Sequence, residues 1–137
     1  MAKSDQQKAK EKLDKAFSLY IRLRDSDCNG YGSCYTCGKV KHYKEMHCGH
    51  WIPRNILSTR FDEMNAKIQC VGCNLYGNGK FVDFRINLVK DYGEDVVRVL
   101  EQKKFQVFKV DKNWYYEKIA YYTQEVEKLK NKTAQTS

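Results

Sequence analysis

The chain has 137 residues, with 25 Lys and Arg against 17 Asp and Glu, and a formal net charge of +8. This length suits one domain with a modest core. The basic balance favours a polyanionic partner, for which DNA or RNA is the first candidate. No stretch approaches the roughly 20 consecutive apolar residues of a membrane span, and no apolar leader precedes the cysteines. We therefore expect a cytoplasmic, nucleic-acid-binding protein without a membrane partner.

The N-terminal part is predicted to form an amphipathic helix over residues 4 to 24. Ser4 and Gln7 fit a capping box, and apolar residues recur on one face with helical spacing. The lysines of the other face alternate with acids such as Asp14, which is typical of a solvated surface. Residues 25 to 33 are rich in glycine and polar residues and are predicted to form a loop.

The middle of the chain predicts two short strands and a helix. The strands are expected over residues 45 to 51 and 66 to 69, joined by a connecting loop over residues 54 to 65. After one short turn, a helix is expected from about residue 80 to 92. The order strand, loop, strand, helix is a ββα arrangement.

The C-terminal part predicts two further helices, over about residues 94 to 103 and 111 to 130. Residues 105 to 110 alternate weakly and are expected to be extended, and a polar, disordered tail is expected after residue 130. The two terminal helices each carry an aromatic face, so they are expected to pack on each other or across a homodimer interface.

Four of the six cysteines form two C-x-x-C pairs that are separated by 32 residues. Each pair places two sulfur atoms on the same side of a tight turn, so two pairs can complete a tetrahedral zinc site. The spacing therefore predicts a structural Zn²⁺ bound by Cys34, Cys37, Cys70 and Cys73. Cys28 and Cys48 have no partner at this spacing and are expected to be reduced thiols.

Three polar residues, His50, Asn65 and Asn74, follow one another within the segment that this zinc would close. Their order is the pattern of an HNH nuclease motif with asparagine in the third position. In phosphodiester hydrolysis, His50 can act as the base, because a neutral imidazole takes a proton from water. Asn74 can offer its carbonyl oxygen to Mg²⁺ or Mn²⁺, and Asn65 can hold the loop or the imidazole by amide hydrogen bonds.

The first ligand of the catalytic metal is open at this point, because Gly49 stands where many such sites have an Asp or His. His47, Asp62 and Glu63 are candidates by their proximity in sequence. Three basic residues are candidates for phosphate contacts, each with an ordinary surface role as an equal alternative: Arg54, Arg60 and Lys80.

These elements predict an α+β fold in one domain over residues 1 to 137. Its core, over residues 34 to 92, is expected to be a small zinc-stapled ββα-metal unit of the HNH or His-Me finger type. The N-terminal helix and the C-terminal helices over residues 94 to 130 flank this core.

Six sequence blocks, in order, resemble the phage NinG/Rap family of recombination endonucleases over about residues 15 to 130. The blocks are F-S-L-Y-I-R-L-R-D from Phe17, C-Y-T-C-G from Cys34, G-H-W from Gly49, R-F-D-E-M-N from Arg60, Q-C-V-G-C-N from Gln69 and F-R-I-N-L-V-K-D-Y-G from Phe84. The resemblance implies a structure-selective nuclease that acts on D-loops and Holliday junctions. It also implies His50 as base, Asn74 as metal ligand, Asn65 as the central asparagine of the motif and the paired cysteines as a zinc site.

Two other interpretations stay open. One is a recombinase-guided or general HNH nuclease, for which a host recombinase would be the partner. The other is a zinc-stapled DNA-binding module without chemistry, which is favoured by Gly49 and the open metal ligand.

Overall fold

The computed structural model describes residues 2 to 136, with side chains through Lys132. It is a mixed α+β structure, as predicted, in which helices flank two small antiparallel sheets. The helices and strands are α1 (Asp5–Arg24), β1 (Tyr31–Ser33), β2 (Val40–His42), β3 (His47–His50), α2 (Leu57–Arg60), β4 (Ala66–Gln69), α3 (Phe81–Tyr92), α4 (Glu94–Lys103) and α5 (Lys112–Thr136). No helix among the described residues is both long and apolar enough to cross a membrane.

The sheet that carries the motif consists of β3 and β4. In their antiparallel register, His47 lies opposite Gln69 and His50 lies opposite Ala66. Every residue of β4 is buried, so β4 is the inner strand. β3 has β4 as its one strand partner in the described chain, and its other edge is open for a functional surface.

Two predicted boundaries are wrong around this sheet. The first strand begins at His47 rather than at residue 45, because residues 43 to 45 form a short 3-10 turn that His42 caps. The predicted loop over residues 54 to 65 contains the single helical turn α2. One turn carries too few apolar positions to show a helical period in the sequence.

The second sheet, β1 with β2, was missed. Residues 25 to 33 were predicted as a loop, but Tyr31, Gly32 and Ser33 pair with the strand β2 after the first cysteine pair. Both strands have three residues, and glycine is the central residue of β1. Strands this short show no clear alternation of apolar and polar residues, so the sequence carries no strand signal here.

The helices α1 and α5 pack against each other, which confirms one of the two arrangements expected for them. They share a buried cluster that includes Leu13, Phe17, Ile21, Tyr115 and Tyr122. The helix α1 begins as predicted, since Ser4 Oγ accepts a hydrogen bond from Gln7 N at 3.1 Å. The helix α5 is longer than predicted: its backbone is helical through Thr136, where a disordered tail was expected. No strand forms over residues 105 to 110, which begin with turns after α4.

The end of α1 is bonded directly to β4. The guanidinium of Arg24 donates to the carbonyl oxygens of Glu63 and Ala66 at 3.0 and 2.9 Å. The carboxylate of Asp25 accepts a hydrogen bond from Ile68 N at 2.9 Å. Charge-assisted bonds of this kind are the stronger class of hydrogen bond, so α1 holds a fixed position beside the motif sheet.

Candidate metal centre and cleft

Two metal-binding regions were predicted, and the first is a cluster of four cysteines. The sulfur atoms of Cys34, Cys37, Cys70 and Cys73 all lie within 4.8 Å of one another, and those of Cys37 and Cys70 are 3.6 Å apart. Tetrahedral zinc with bonds of about 2.3 Å requires sulfur separations of about 3.8 Å. The donor set and its spacing therefore fit a zinc ion.

The backbone around the cysteines is shaped for such a site. Gly38 adopts a left-handed φ of 80° after the first pair, which a residue with a side chain rarely does, and Gly38 N bonds Cys34 O at 2.9 Å. In the second pair, Cys73 N donates to Cys70 Sγ at 3.4 Å. Burial raises the pKa of the Cys34 thiol, but hydrogen bonds from the Thr36 side chain and nearby backbone outweigh it and lower this pKa to about 6.

A cleft of about 600 Å³ runs along β3, and we call it the β3 cleft. It brings together four residues that the sequence singled out from separate parts of the motif: His47, His50, Arg54 and Asn74. The helix α1 contributes one wall through Asp14, Phe17 and Arg22, and the segment around Asn78 contributes another.

His50 is fixed in orientation and in protonation. Its Nε2 lies 2.9 Å from the backbone carbonyl oxygen of Arg60, and a carbonyl can only accept, so Nε2 carries the proton. Burial lowers the pKa of the imidazole to about 4, which keeps the ring neutral near pH 7. Nδ1 is therefore the ring nitrogen that can accept a proton. Phe17 packs 6.1 Å from the ring, centroid to centroid.

Asn74 directly follows the second cysteine pair and lies in the π-helical turn Gly72–Tyr76, which also contains Cys73. Such turns occur frequently at functional sites. The amide nitrogen of Asn74 donates to His47 Nδ1 at 3.0 Å. Among the hydrogen bonds of the described residues, none uses the side-chain carbonyl oxygen of Asn74, so this oxygen is available to a cation.

Of the three candidates for a further metal ligand, His47 is the one that lines the β3 cleft. Asp62 bonds the amine of Lys103 at 2.6 Å. Glu63 accepts hydrogen bonds from the hydroxyl groups of Tyr20 and Tyr122 at 3.0 and 3.1 Å. Both carboxylates thus have structural partners away from the cleft.

Asn65 is fully buried and supports the chain that leaves β3. Its carbonyl oxygen accepts from Ile52 N at 2.7 Å, and its amide donates to the carbonyl oxygens of Ile52 and Thr59 at 3.0 and 3.1 Å. Of the two roles expected for Asn65, these bonds correspond to holding the loop and not to bonding the imidazole.

The three candidate phosphate contacts lie in different settings. Arg54 is exposed and lines the β3 cleft. Lys80 is exposed at the start of α3, outside the cleft lining. Arg60 forms a bidentate ion pair with Asp14 and donates to the carbonyl oxygen of Arg54 at 2.9 Å, so its guanidinium is already used. Asp14 was expected on a solvated face, but its side chain is 17% exposed in this ion pair.

Gln69 is a residue of the site that sequence reasoning did not single out. Its amide nitrogen bonds Thr36 Oγ1 at 3.0 Å and the carbonyl oxygen of Gly79 at 2.9 Å, and it thereby connects the cysteine cluster to the wall of the cleft. A Cβ at Gly49 would lie 1.9 Å from Gln69 Oε1. Gly49 therefore leaves the space that the Gln69 side chain fills. The position of Gln69 just before a cysteine pair was its one signal in the sequence.

Comparisons with known proteins place the chain among phage proteins. The family model described as "Bacteriophage Lambda NinG protein" matches residues 1–132. The chain is 30% identical over 92 residues to protein ninG of Escherichia phage 933W and of Salmonella phage P22, and 29% identical to that of Escherichia phage lambda. Each match covers 66% of this chain and 43% of the relative, so the match spans less than half of each relative. No solved structure matches the chain. Because the family model matches nearly its whole length, the chain belongs to the phage NinG family.

Proposed function

We propose that this protein is a metal-dependent endonuclease of the HNH type that hydrolyses phosphodiester bonds in branched DNA. The observation that carries the proposal is the neutral His50, held by the Arg60 carbonyl in a cleft that also contains Asn74, His47 and Arg54. A non-catalytic zinc module has no need for a base of fixed tautomer beside an oxygen ligand.

In this proposal, His50 takes the proton. Nδ1 removes it from the attacking water, and the bond from Nε2 to the Arg60 carbonyl oxygen stabilises the imidazolium that results. The low pKa of the ring keeps Nδ1 unprotonated before the reaction. Phe17 behind the ring and Asn65 beneath the following loop hold this geometry.

Asn74 is the proposed ligand of a divalent ion, through its free side-chain carbonyl oxygen, and His47 orients this amide by accepting its N–H at Nδ1. Mg²⁺ or Mn²⁺ bound there would stabilise negative charge on the phosphate and the leaving oxygen. Both metals accept oxygen ligands and keep several waters, so a site with few protein ligands suits them. The cysteine cluster, with its soft sulfur ligands, serves structural zinc instead.

The substrate is proposed to be DNA, and branched DNA in particular. The formal charge of +8 favours a polyanion, and exposed Arg54 in the cleft can contact a phosphate. The branched structure comes from the resemblance of the chain to recombination endonucleases of its family. The same resemblance supports a host recombinase as a proposed partner. A homodimer is proposed because two symmetric cuts in a junction need two active sites.

The test compares cleavage of a labelled four-way junction and a matched linear duplex in Mg²⁺, Mn²⁺ or EDTA. We expect metal-dependent nicking of the junction by the wild type. His50→Ala should lose at least about a hundredfold in rate, the ordinary contribution of a general base, while it still binds DNA. His42→Ala is the matched control, because His42 lies in the strand β2 and does not line the cleft.

Each outcome points to a different function. Equal cutting of junction and duplex would favour a general or recombinase-guided nuclease. Binding without cutting in either metal would favour the zinc-stapled DNA-binding module. Full activity of His50→Ala would exclude His50 as the base.

A further inference from the structure

A second pocket, of about 490 Å³, adjoins the β3 cleft. The two cavities share Pro53 and Phe81 in their linings, so a strand of DNA in the cleft can reach both. We call the second cavity the aromatic pocket, because three aromatic side chains line it: Trp51, Phe81 and Phe105.

One wall of the aromatic pocket is fixed relative to His50. Trp51 follows His50 in the chain, its backbone N donates to Asn65 O at 3.0 Å, and its ring packs against the buried cluster of Phe84 and Leu88. Ile52, also in the lining, has both of its backbone polar groups bonded by the Asn65 side chain. A group that enters the pocket is thus placed at a defined distance from the proposed base.

The other aromatic side chains are exposed to solvent. Phe81 is 43% exposed and Phe105 is 75% exposed, so both rings leave apolar surface in contact with water, which burial against a ligand would remove. Lys104 lies over the Phe105 ring, with its amine 5.1 Å from the ring centroid, and Arg54 lies next to Pro53 at the boundary with the cleft. Glu101 also lines the pocket, but its carboxylate is paired with Arg85 at 2.9 Å. The pocket therefore has a largely apolar interior, with Lys104 and Arg54 as the basic residues near its rim.

This combination matches a nucleotide better than it matches a peptide or an uncharged ligand. A base has two flat faces that stack on aromatic rings, and its phosphate carries the charge that the rim complements. Bases within a continuous duplex are stacked on their neighbours and cannot offer a face. Unpaired bases at a branch point can.

We propose that the aromatic pocket binds one unpaired nucleobase of a branched DNA whose adjacent phosphate lies in the β3 cleft. The proposal rests on the proposed nuclease function and supplies the part of the molecule that distinguishes branched DNA from duplex. Phe105 is the specificity-determining residue that the structure assigns.

The test measures DNA binding in EDTA, so that its readout does not depend on cleavage. Fluorescence anisotropy would give the affinity for a four-way junction with unpaired bases at its crossover and for a linear duplex of equal length. Phe105→Ala should weaken binding to the junction roughly tenfold, the scale of one lost base stack, and leave binding to the duplex unchanged. Phe105→Trp, which keeps an aromatic ring at this position, should retain the preference for the junction over the duplex. Val107→Ala is the matched control, because Val107 lies on the same segment, is 84% exposed and does not line the pocket.

The pocket and the nuclease can fail separately. If Phe105→Ala leaves the junction preference intact, or weakens both substrates equally, the aromatic pocket does not read unpaired bases, whether or not the wild type cleaves. If the preference depends on Phe105 but no metal supports cleavage, the pocket stands and the nuclease proposal falls.

Discussion

The Gln69 side chain fills the space beside Gly49, so a larger residue at position 49 would collide with it. The φ of Gly49 lies outside the left-handed region, so its backbone accepts alanine, and the nearest obstacle to a Cβ is the Gln69 side chain. Gly49→Ala should lower the free energy of unfolding by about 1–3 kcal/mol, the usual cost of overpacking. Urea denaturation of the purified variant measures this change.

A double-mutant cycle isolates the cause. In a Gln69→Ala background the obstacle is gone, so Gly49→Ala should be neutral or stabilising by up to about 1 kcal/mol, through the lower entropy of the unfolded chain. Equal destabilisation in both backgrounds would show that Gly49 is required for another reason.

His50 should make stability depend on pH in a specific window. The unfolded imidazole has its ordinary pKa near 6.5, while burial lowers the folded pKa to about 4. Between these values the unfolded state binds a proton that the folded state does not, so stability falls as the pH falls from 6.5 to 4. The difference between the two pKa values corresponds to a loss of about 3 kcal/mol in the free energy of unfolding.

The difference between wild type and His50→Gln isolates this contribution, because other titrating groups are common to both proteins. Urea unfolding at pH 7 and pH 4.5 should show about 2–3 kcal/mol more loss in the wild type than in the variant. The same pH dependence in wild type and His50→Gln would mean that the folded ring titrates normally.

For individual residues, the sequence predicted the metal-binding cysteines better than it predicted side-chain contacts between distant residues. The cysteine spacing confines four sulfur atoms to one site, and the structure confirms that they meet. The ion pair of Asp14 with Arg60 joins residues 46 positions apart, and the contact of Gln69 with Gly49 depends on strand register. Neither follows from local spacing, because both arise from how the elements pack.

Among the elements, the paired turns around the cysteine cluster should depend on bound zinc for their stability. The wild type should contain about one zinc ion per chain, and a strong chelator should lower its melting temperature, since metal binding energy contributes directly to folding. Cys73→Ser should lose the zinc and melt at a lower temperature. A colorimetric zinc assay and thermal unfolding measure both.

Cys28→Ser is the control for this prediction, because Cys28 is an exposed cysteine outside the cluster. Cys48 is less suitable, since it packs beside the core that α1 and α5 share. A wild type that is free of zinc and insensitive to chelators would contradict the assignment of the cluster as a structural zinc site.

The helices with many periodic residues were predicted well. Among the short elements, β4 was predicted at its exact limits, whereas β1, β2 and α2 were missed. The helices α1, α3 and α4 lie within a residue of their predicted limits, because apolar spacing and capping residues act locally. The strands β1 and β2 and the turn α2 have three or four residues each. Their conformation is imposed by neighbours such as the cysteine turn and the Asn65 side chain, so a local pattern cannot reveal it.

At the scale of the whole molecule, the net charge should govern DNA affinity through a small number of phosphate contacts. Arg54→Ala should weaken binding to all DNA sequences and lower the slope of log affinity against log salt by about 1, since one contact is lost. Titrations of a fixed DNA at several salt concentrations measure the slope.

Arg60→Ala is the informative counterpart. It should leave the salt slope unchanged but reduce the free energy of unfolding by about 3 kcal/mol, because Asp14 loses the partner that compensates its partial burial. If Arg60→Ala lowers the slope and Arg54→Ala does not, the roles of the two arginines are reversed.

The pairing of α1 with α5 joins the first and last elements of the described chain, and the two helices run in the same direction. Gln6 bonds Val110 just before α5, and Leu23 near the end of α1 lines a cavity together with Leu129. During synthesis, about a hundred residues must be added after Phe17 before Tyr115 and Tyr122 are available to pack against it. At bacterial elongation rates this takes about 5–20 s. His50 packs against Phe17, so the wall behind the proposed base is completed only when α5 has been made. A ribosome-bound nascent chain that lacks α5 would thus lack this wall, and the proposed nuclease activity is expected only after translation has passed this helix.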